Sequence, residues 1–414
     1  MGKDFIPYLN EHFVIFDGAM GTMLQQKKAG IDRCPEELNI VDPDVIVSIH
    51  KAYKNAGSDV IETNTFGANA LKLARWGLSA RADDINTAAV KLARDVMGDD
   101  GWVAVSVGPT GHLMRPFGDL SFDDAYNAFK SQILAAASAG ADIICIETMS
   151  DINEARAAIL AAKENTDLPI TATMTFEANG RTLMGNDAAS AALALESAGA
   201  DVVGVNCSGG VEVAYEAIKQ MADYSSVPLM VQPNAGMPHD QDGITVYPLG
   251  PEEMLRWMDD FAKAGAAVLG GCCGTTPEHI KLLADKLKGR KRSPAVNPKM
   301  VTNIISSGSK SVDVSRIESL REINVACDDP ASSAMNAVSE AADAIVLDFR
   351  AWDGSEGDVY ELLNDITSLC RVPLIFKNAR YNILAWLLRY YGGVAGVIGD
   401  ADRALVNRYK AVIM

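Results

Sequence analysis

The chain has 414 residues, 48% of them hydrophobic, with 37 basic against 54 acidic side chains and a net charge of −17. That balance excludes extended disorder, and it suits neither bare nucleic acid nor an anionic membrane surface, since both would repel it. No apolar stretch reaches the ~18 residues that span a bilayer, and the opening "MGKDFIPYLNEHFVIFDG" lacks the basic-then-apolar pattern of a secretion signal.

In chain order, short apolar runs recur at a nearly regular pitch: "FVIFDGAMG", "DVIETNTFGAN", "WVAVSVGPTG", "DIICIETMSD", "PITATMTFEANG", "DVVGVNCSGG", "PLMVQPNAG" and "AAVLGGCCG". Helical spacing fills the intervals, as in "SFDDAYNAFKSQILAAASAGA" and "DINEARAAILAAKENTD". Four intervals close on a shared phrase, "NAGSDVI", "SAGADII", "SAGADVV" and "KAGAAVL", whose glycine suits a helix C-terminus. Eight strands alternating with helices predict a (β/α)8 TIM barrel, an α/β fold, over residues 1–290. An open doubly wound sheet fits less well, because no G-x-G-x-x-G or G-x-x-x-x-G-K-[ST] follows any strand.

The segment 291–315 is basic and then Ser-rich, with little periodicity, and reads as a linker. Beyond it, "INVACDD", "AIVLDFR", "VPLIFKN" and "GVAGVIGD" predict a four-stranded α/β domain over 316–414, half the strand count of a barrel. Four strands cannot close such a barrel. This domain should therefore be a small open sheet covered by helices, or pair with a second copy to give a homodimer, because an uncovered edge invites association.

Active sites of this fold lie at the C-terminal mouth, and polar residues gather there: Asp17, Glu62, Asn64, Glu147, Asn206, Cys207, Asn234, Cys272 and Cys273. The seven cysteines are odd in number in a chain too large to need disulfide staples, which points to reduced thiols and a cytoplasmic setting. Cys34, Cys145, Cys327 and Cys370 read as small core residues. Cys207 follows strand six, and Cys272 and Cys273 follow strand eight, with one strand between. Adjacent side chains on a strand point to opposite faces, so the cysteine pair can serve one site only past the end of the pleat. Gly270, Gly271 and Gly274 would let the backbone turn there.

Three thiolates without histidine favour Zn2+, and three protein ligands leave one position for substrate. Zn2+ with three thiolates carries a net −1, so it polarises carbonyls or water poorly but can hold a substrate thiol as an electron-rich thiolate. Thiol alkylation follows more naturally than hydrolysis. His279, six residues past the pair, reads instead as part of a helix start, with Thr276 as cap and Pro277 at the first position.

The order and wording of "FDGAMGTMLQ", "IETNTFGAN", "GPTG", "IET", "GVNCSGG", "PNAG" and "GGCCGTTPEHI" resemble the homocysteine S-methyltransferase family over about residues 5–290, most closely the homocysteine-binding module of cobalamin-dependent methionine synthases. The resemblance implies zinc on Cys207, Cys272 and Cys273, and L-homocysteine as substrate. It places the amino-acid end of the substrate at Asp17, Gly18 and Glu147, with Glu62 and Asn64 lining the same pocket. Asn234 falls where the family can lend a side-chain oxygen to zinc when substrate is absent. The donor implied is methylcobalamin on a separate corrinoid protein, since no histidine here stands in an Asp-x-His-x-x-Gly motif. The alternatives are a small donor, such as S-methylmethionine, a betaine or methyltetrahydrofolate, or a non-catalytic docking module. Residues 316–414 weakly resemble the first half of a pterin-binding barrel. Lys377 stands where that family more typically has an acidic residue, which argues against folate binding.

Overall fold

A computed structural model describes residues 4–27, 33–241, 244–292 and 303–414. The barrel strands are β1 (Val14–Ile15), β2 (Val60–Glu62), β3 (Trp102–Val107), β4 (Ile143–Met149), β5 (Ile170–Met174), β6 (Val202–Asn206), β7 (Leu229–Gln232) and β8 (Ala266–Leu269). All seven ladders are parallel and run in chain order from β2 to β8, with β1 paired to β8. A parallel bridge from Phe16 to Val60 joins β1 to β2 and completes the ring. The expected (β/α)8 barrel is the observed one.

The closing phrases work as anticipated. Gly57, Gly140, Gly199 and Gly265 have φ of 106°, 98°, 111° and 113°, a left-handed conformation in which a side chain would be strained. Inside the ring, alternate strand residues such as Val14, Val60, Ala104, Ile143, Cys145, Val202, Met230 and Val268 fill the interior. The helix Phe5–Glu11 belongs to the same cluster, through Phe5 and Leu9. The opposite strand faces pack against the helices, leaving the C-terminal mouth as the place where polar groups can converge.

The second unit has five strands rather than four: β9 (Leu320–Asn324), β10 (Ala344–Asp348), β11 (Leu374–Lys377), β12 (Gly396–Ile398) and β13 (Val412–Ile413), all parallel and in sequential order. The added strand β13 is too short to show a sequence pattern. One face carries the helices between the strands, through Ile345, Leu347 and Phe376. Ala344, Val346, Ile375 and Val412 point the other way, onto Ile305 and onto Leu193 of the barrel helix Ala188–Ala198. Both faces are thus covered from within the chain.

Ile305 belongs to an antiparallel hairpin, Ile304–Ser306 with Ser311–Asp313, within the segment expected to be a linker. Residues 293–302 of that segment lie outside the described ones. The hairpin forms because Ile305 is buried on the sheet and Ser306 exchanges backbone hydrogen bonds with Val394, at 2.8 and 3.1 Å. The small unit is fastened to the barrel by Arg156, fully buried on the helix Ile152–Asn165. Its guanidinium donates to Ser197 Oγ (2.9 Å) and Ala194 O (3.2 Å) on one side and to Leu388 O (3.0 Å) on the other.

Candidate metal centre and active site

Cys207, Cys272 and Cys273 converge at the mouth. Their sulfurs all lie within 4.8 Å of one another, and Cys207 Sγ is 3.6 Å from Cys273 Sγ. Tetrahedral zinc with Zn–S bonds of 2.3 Å sets its sulfurs about 3.8 Å apart, so the spacing fits that ion. Each sulfur owes its place to backbone that departs from strand geometry. Cys207 itself has φ of 47°, rare for a residue with a side chain, and this ends β6 and redirects its thiol. After β8 the chain is zipped onto the segment following β7, with Cys272 N donating to Pro233 O (3.0 Å) and Ala235 N to Cys273 O (2.9 Å).

The glycines around the pair divide the labour differently from the expectation. Only Gly274, with φ of 81°, serves a left-handed turn. Gly270 and Gly271 serve close approach. A Cβ at Gly270 would come within 2.7 Å of Phe16 Cβ, and one at Gly271 within 2.4 Å of Thr275 Oγ1. Nothing in the local pattern singles out Thr275. It is fully buried, donates to Cys272 O (2.7 Å) and accepts from Ala19 N (3.1 Å), so it ties the cysteine loop to the turn after β1.

A cavity of about 440 Å3 opens beside the trio, lined by Gly18, Glu62, Asn64, Glu147 and all three cysteines among others. Asp17 stands just behind the lining. Its Oδ2 accepts from Glu62 N (3.2 Å), and its buried Oδ1 meets no partner among the described residues. Glu62 Oε2 accepts from Gln232 (2.7 Å), and its Oε1 is likewise buried and unmet. Among the described residues none of the three carboxyls is in an ion pair, an unusual thing to bury. Burial pushes all three up, Glu147 to about 8, and the charge of Glu62 adds to the rise at Glu147 and at Asp17.

Asn206, the last residue of β6, joins the acids to the sulfurs. Its Oδ1 accepts from Thr148 N and Thr173 Oγ1, both at 2.8 Å, while its Nδ2 donates to Thr148 Oγ1 (2.7 Å) and Glu147 Oε2 (3.3 Å). The same Nδ2 lies 4.0 Å from Cys272 Sγ. Among the sulfurs, hydrogen bonds from Cys207 and Cys272 hold Cys273 down to about 3, with burial opposing. Three sulfurs packed this closely make a site ready to trade protons for a cation.

The other expected residues fall into place individually. Asn64 reaches the cavity wall, but its amide is spent on Pro35 O (2.8 Å), so it braces a loop. Asn234 sits between the two residues zipped to the cysteine loop, donates to Ser208 O (3.1 Å), and buries an Oδ1 with no partner among the described residues. His279 caps its helix through Thr276 and reaches Leu249 O (3.1 Å), as a structural residue should. Cys34, Cys145 and Cys370 are buried as expected; Cys327 is exposed, which corrects its reading as a core residue.

Residues 14–287 match the family model described as homocysteine S-methyltransferase. The chain belongs to the homocysteine S-methyltransferase family. Among relatives, it is 33% identical over 307 residues to a methionine synthase of Mycobacterium tuberculosis, covering 70% of this chain and 26% of that one. It is 32% identical over 299 residues to that of Mycobacterium leprae, covering 68% and 25%. This homocysteine S-methyltransferase family member thus spans about a quarter of the length of those methionine synthases. The metallated form of the Escherichia coli homocysteine methyltransferase MmuM shares the fold, with a TM-score of 0.57 at 22% identity over 66% of this chain and 96% of that one. Its oxidised form gives the same TM-score at 23% identity over the same shares. Among the described residues of the family member, no helix is long and apolar enough to cross a membrane.

Proposed function

We propose that this protein transfers a methyl group to the thiol of L-homocysteine, giving methionine, at a zinc site formed by Cys207, Cys272 and Cys273. The donor in this reading is methylcobalamin carried by a separate corrinoid protein. The observation that carries it is the convergence of three sulfurs beside a cavity walled by buried carboxyls with no ion pair among the described residues. Bound zinc would supply a place where the substrate thiol is held as a thiolate at neutral pH.

The chain's own residues do the rest. The buried oxygens of Asp17 and Glu62, together with Glu147, offer the substrate ammonium its counter-charge. A cation arriving there draws a proton off Glu147, because its charge offsets the burial and the neighbouring charge of Glu62 that raise that carboxyl. Ala19 N is already taken by Thr275 Oγ1, so the substrate carboxylate is assigned to Gly18, which lines the cavity. In this reading the buried Asn234 Oδ1, unpartnered among the described residues, stands in as a neutral oxygen donor when no substrate sulfur is present. Seven free cysteines suit a reducing, cytoplasmic setting. In this reading residues 1–290 are the catalytic unit and residues 316–414 a separate one.

Zinc-loaded protein should be given L-homocysteine and, in separate arms, methylcobalamin, S-methylmethionine, betaine and methyltetrahydrofolate, with methionine quantified in each. Methionine from methylcobalamin supports the proposal. Methionine only from a small donor reassigns the donor. Bound zinc with no methionine in any arm refutes catalysis.

A further inference from the structure

A second cavity, of about 110 Å3, lies on the seam between the barrel and the smaller unit, and it shares no lining residue with the cavity beside the sulfurs. The barrel supplies Asp151 and Asn153, at the start of the helix Ile152–Asn165. The smaller unit supplies Asn364 and Arg371, on and just after the helix Glu356–Leu369. The two walls interlock. A Cβ at Gly392 would come within 2.5 Å of Asn153 Oδ1, and one at Gly185 within 2.9 Å of Arg371 Nη1, so each unit reaches across to the other's backbone.

The polar groups on these walls are unspent and of both signs. Asp151 caps its helix by accepting from Asn153 N (2.7 Å), and among the described residues it has no ion pair. Its carboxyl is raised above the ordinary range, by burial first. Asn153 buries an Oδ1, and Asn364 an Nδ2, with no hydrogen-bond partner among the described residues. One turn before Asn364, the Tyr360 hydroxyl is engaged elsewhere, accepting from Phe122 N (3.1 Å). Arg371 is exposed, and its guanidinium makes no ion pair or hydrogen bond among the described residues. The other arginine of the lining, Arg115, is spent on Glu361 (2.8 Å).

A bare anion here would be repelled by Asp151, and a bare cation by Arg371. A zwitterion satisfies both. A small α-amino acid also brings N–H donors for Asp151 and Asn153 Oδ1, and two carboxylate oxygens for Asn364 Nδ2 and the Arg371 guanidinium. We propose that this junction cavity is a second binding site, for a small zwitterionic α-amino acid, with its ammonium on Asp151 and Asn153 of the barrel and its carboxylate on Asn364 and Arg371 of the smaller unit. An occupant held this way ties the two units together through its own charges.

The probe is L-alanine, with propionate and ethylamine as fragments that keep one charge each, titrated into the full chain to tens of millimolar and followed by saturation-transfer NMR. L-Alanine should bind at least about 5-fold more tightly than either fragment. Asp151→Asn keeps the helix cap and removes the negative charge. It should weaken L-alanine about 10-fold while propionate binds as well or better. Arg371→Gln, at an exposed position, should weaken L-alanine about 3- to 5-fold and spare ethylamine. Glu147→Gln, in the other cavity, should leave this binding in place. No saturable L-alanine binding overturns the site, and fragments that bind as tightly as L-alanine overturn the zwitterion. Binding that Glu147→Gln abolishes, and that Asp151→Asn and Arg371→Gln leave intact, puts the amino acid beside the sulfurs; that result overturns the junction site and leaves the proposed reaction standing.

Discussion

Replacing Glu147 with glutamine should raise stability and damage substrate binding together. The carboxyl lies at about 8 instead of its ordinary 4.5, chiefly through burial and then through the charge of Glu62. An acid raised by folding costs the folded state nothing below its unfolded value, and the cost grows as pH climbs from there to the folded value. At pH 7 the cost is about 3 kcal/mol. Glutamine removes it, but its NH2 must then face Asn206 Nδ2 if its oxygen keeps the Ser106 hydroxyl, which returns about 1 kcal/mol. The net should be a melting temperature a few degrees higher at pH 7–8, with little change at pH 5. A charged hydrogen bond to the substrate ammonium is worth about 1.5–3 kcal/mol, so KM for homocysteine should rise about 10- to 150-fold. Calorimetry across pH, beside methionine formation against homocysteine concentration, reads both quantities. A fall in melting temperature with KM unchanged would show Glu147 to be a structural acid and refute the reasoning.

Cys272→Ala should abolish zinc binding and methionine formation while circular dichroism and the melting profile stay near wild type; retained stoichiometric zinc by elemental analysis would contradict the assignment. Gly204→Ala puts a Cβ 1.9 Å from Met230 O, three residues ahead of Cys207. It should cost about 1–3 kcal/mol in denaturant unfolding and weaken zinc affinity through displacement of β6. Arg156→Met strands the carbonyls of Ala194 and Leu388 at the junction between the units. A loss of about 3 kcal/mol is expected, with thermal unfolding that separates into two transitions; a single unchanged transition would show that the junction does not depend on this residue.

The barrel was legible because a buried parallel strand must be a short apolar run and because a left-handed helix end nearly demands glycine, so Gly57, Gly199 and their counterparts mark each return. The cysteine trio was legible for a different reason, namely that three soft ligands at two strand ends have few other uses. The hairpin around Ile305 escaped notice because its strands are three residues each, and tertiary burial rather than local pattern makes them form. Thr275 escaped because it acts across the fold, on Ala19, from a segment with no periodicity of its own. Cys207 and Thr148 also adopt left-handed backbone, with φ of 47° and 59°, without any glycine to announce it.

Leu193 and Ile305 occupy what would be the lumen if β9–β13 were one half of a closed cylinder. Strands added at either rim could therefore curl round to seal that cylinder only after the hairpin had been evicted, along with the link between Ser306 and Val394. As folded here that face is stoppered, so a ligand that lodges in the throat of a complete barrel finds packed hydrocarbon in its place.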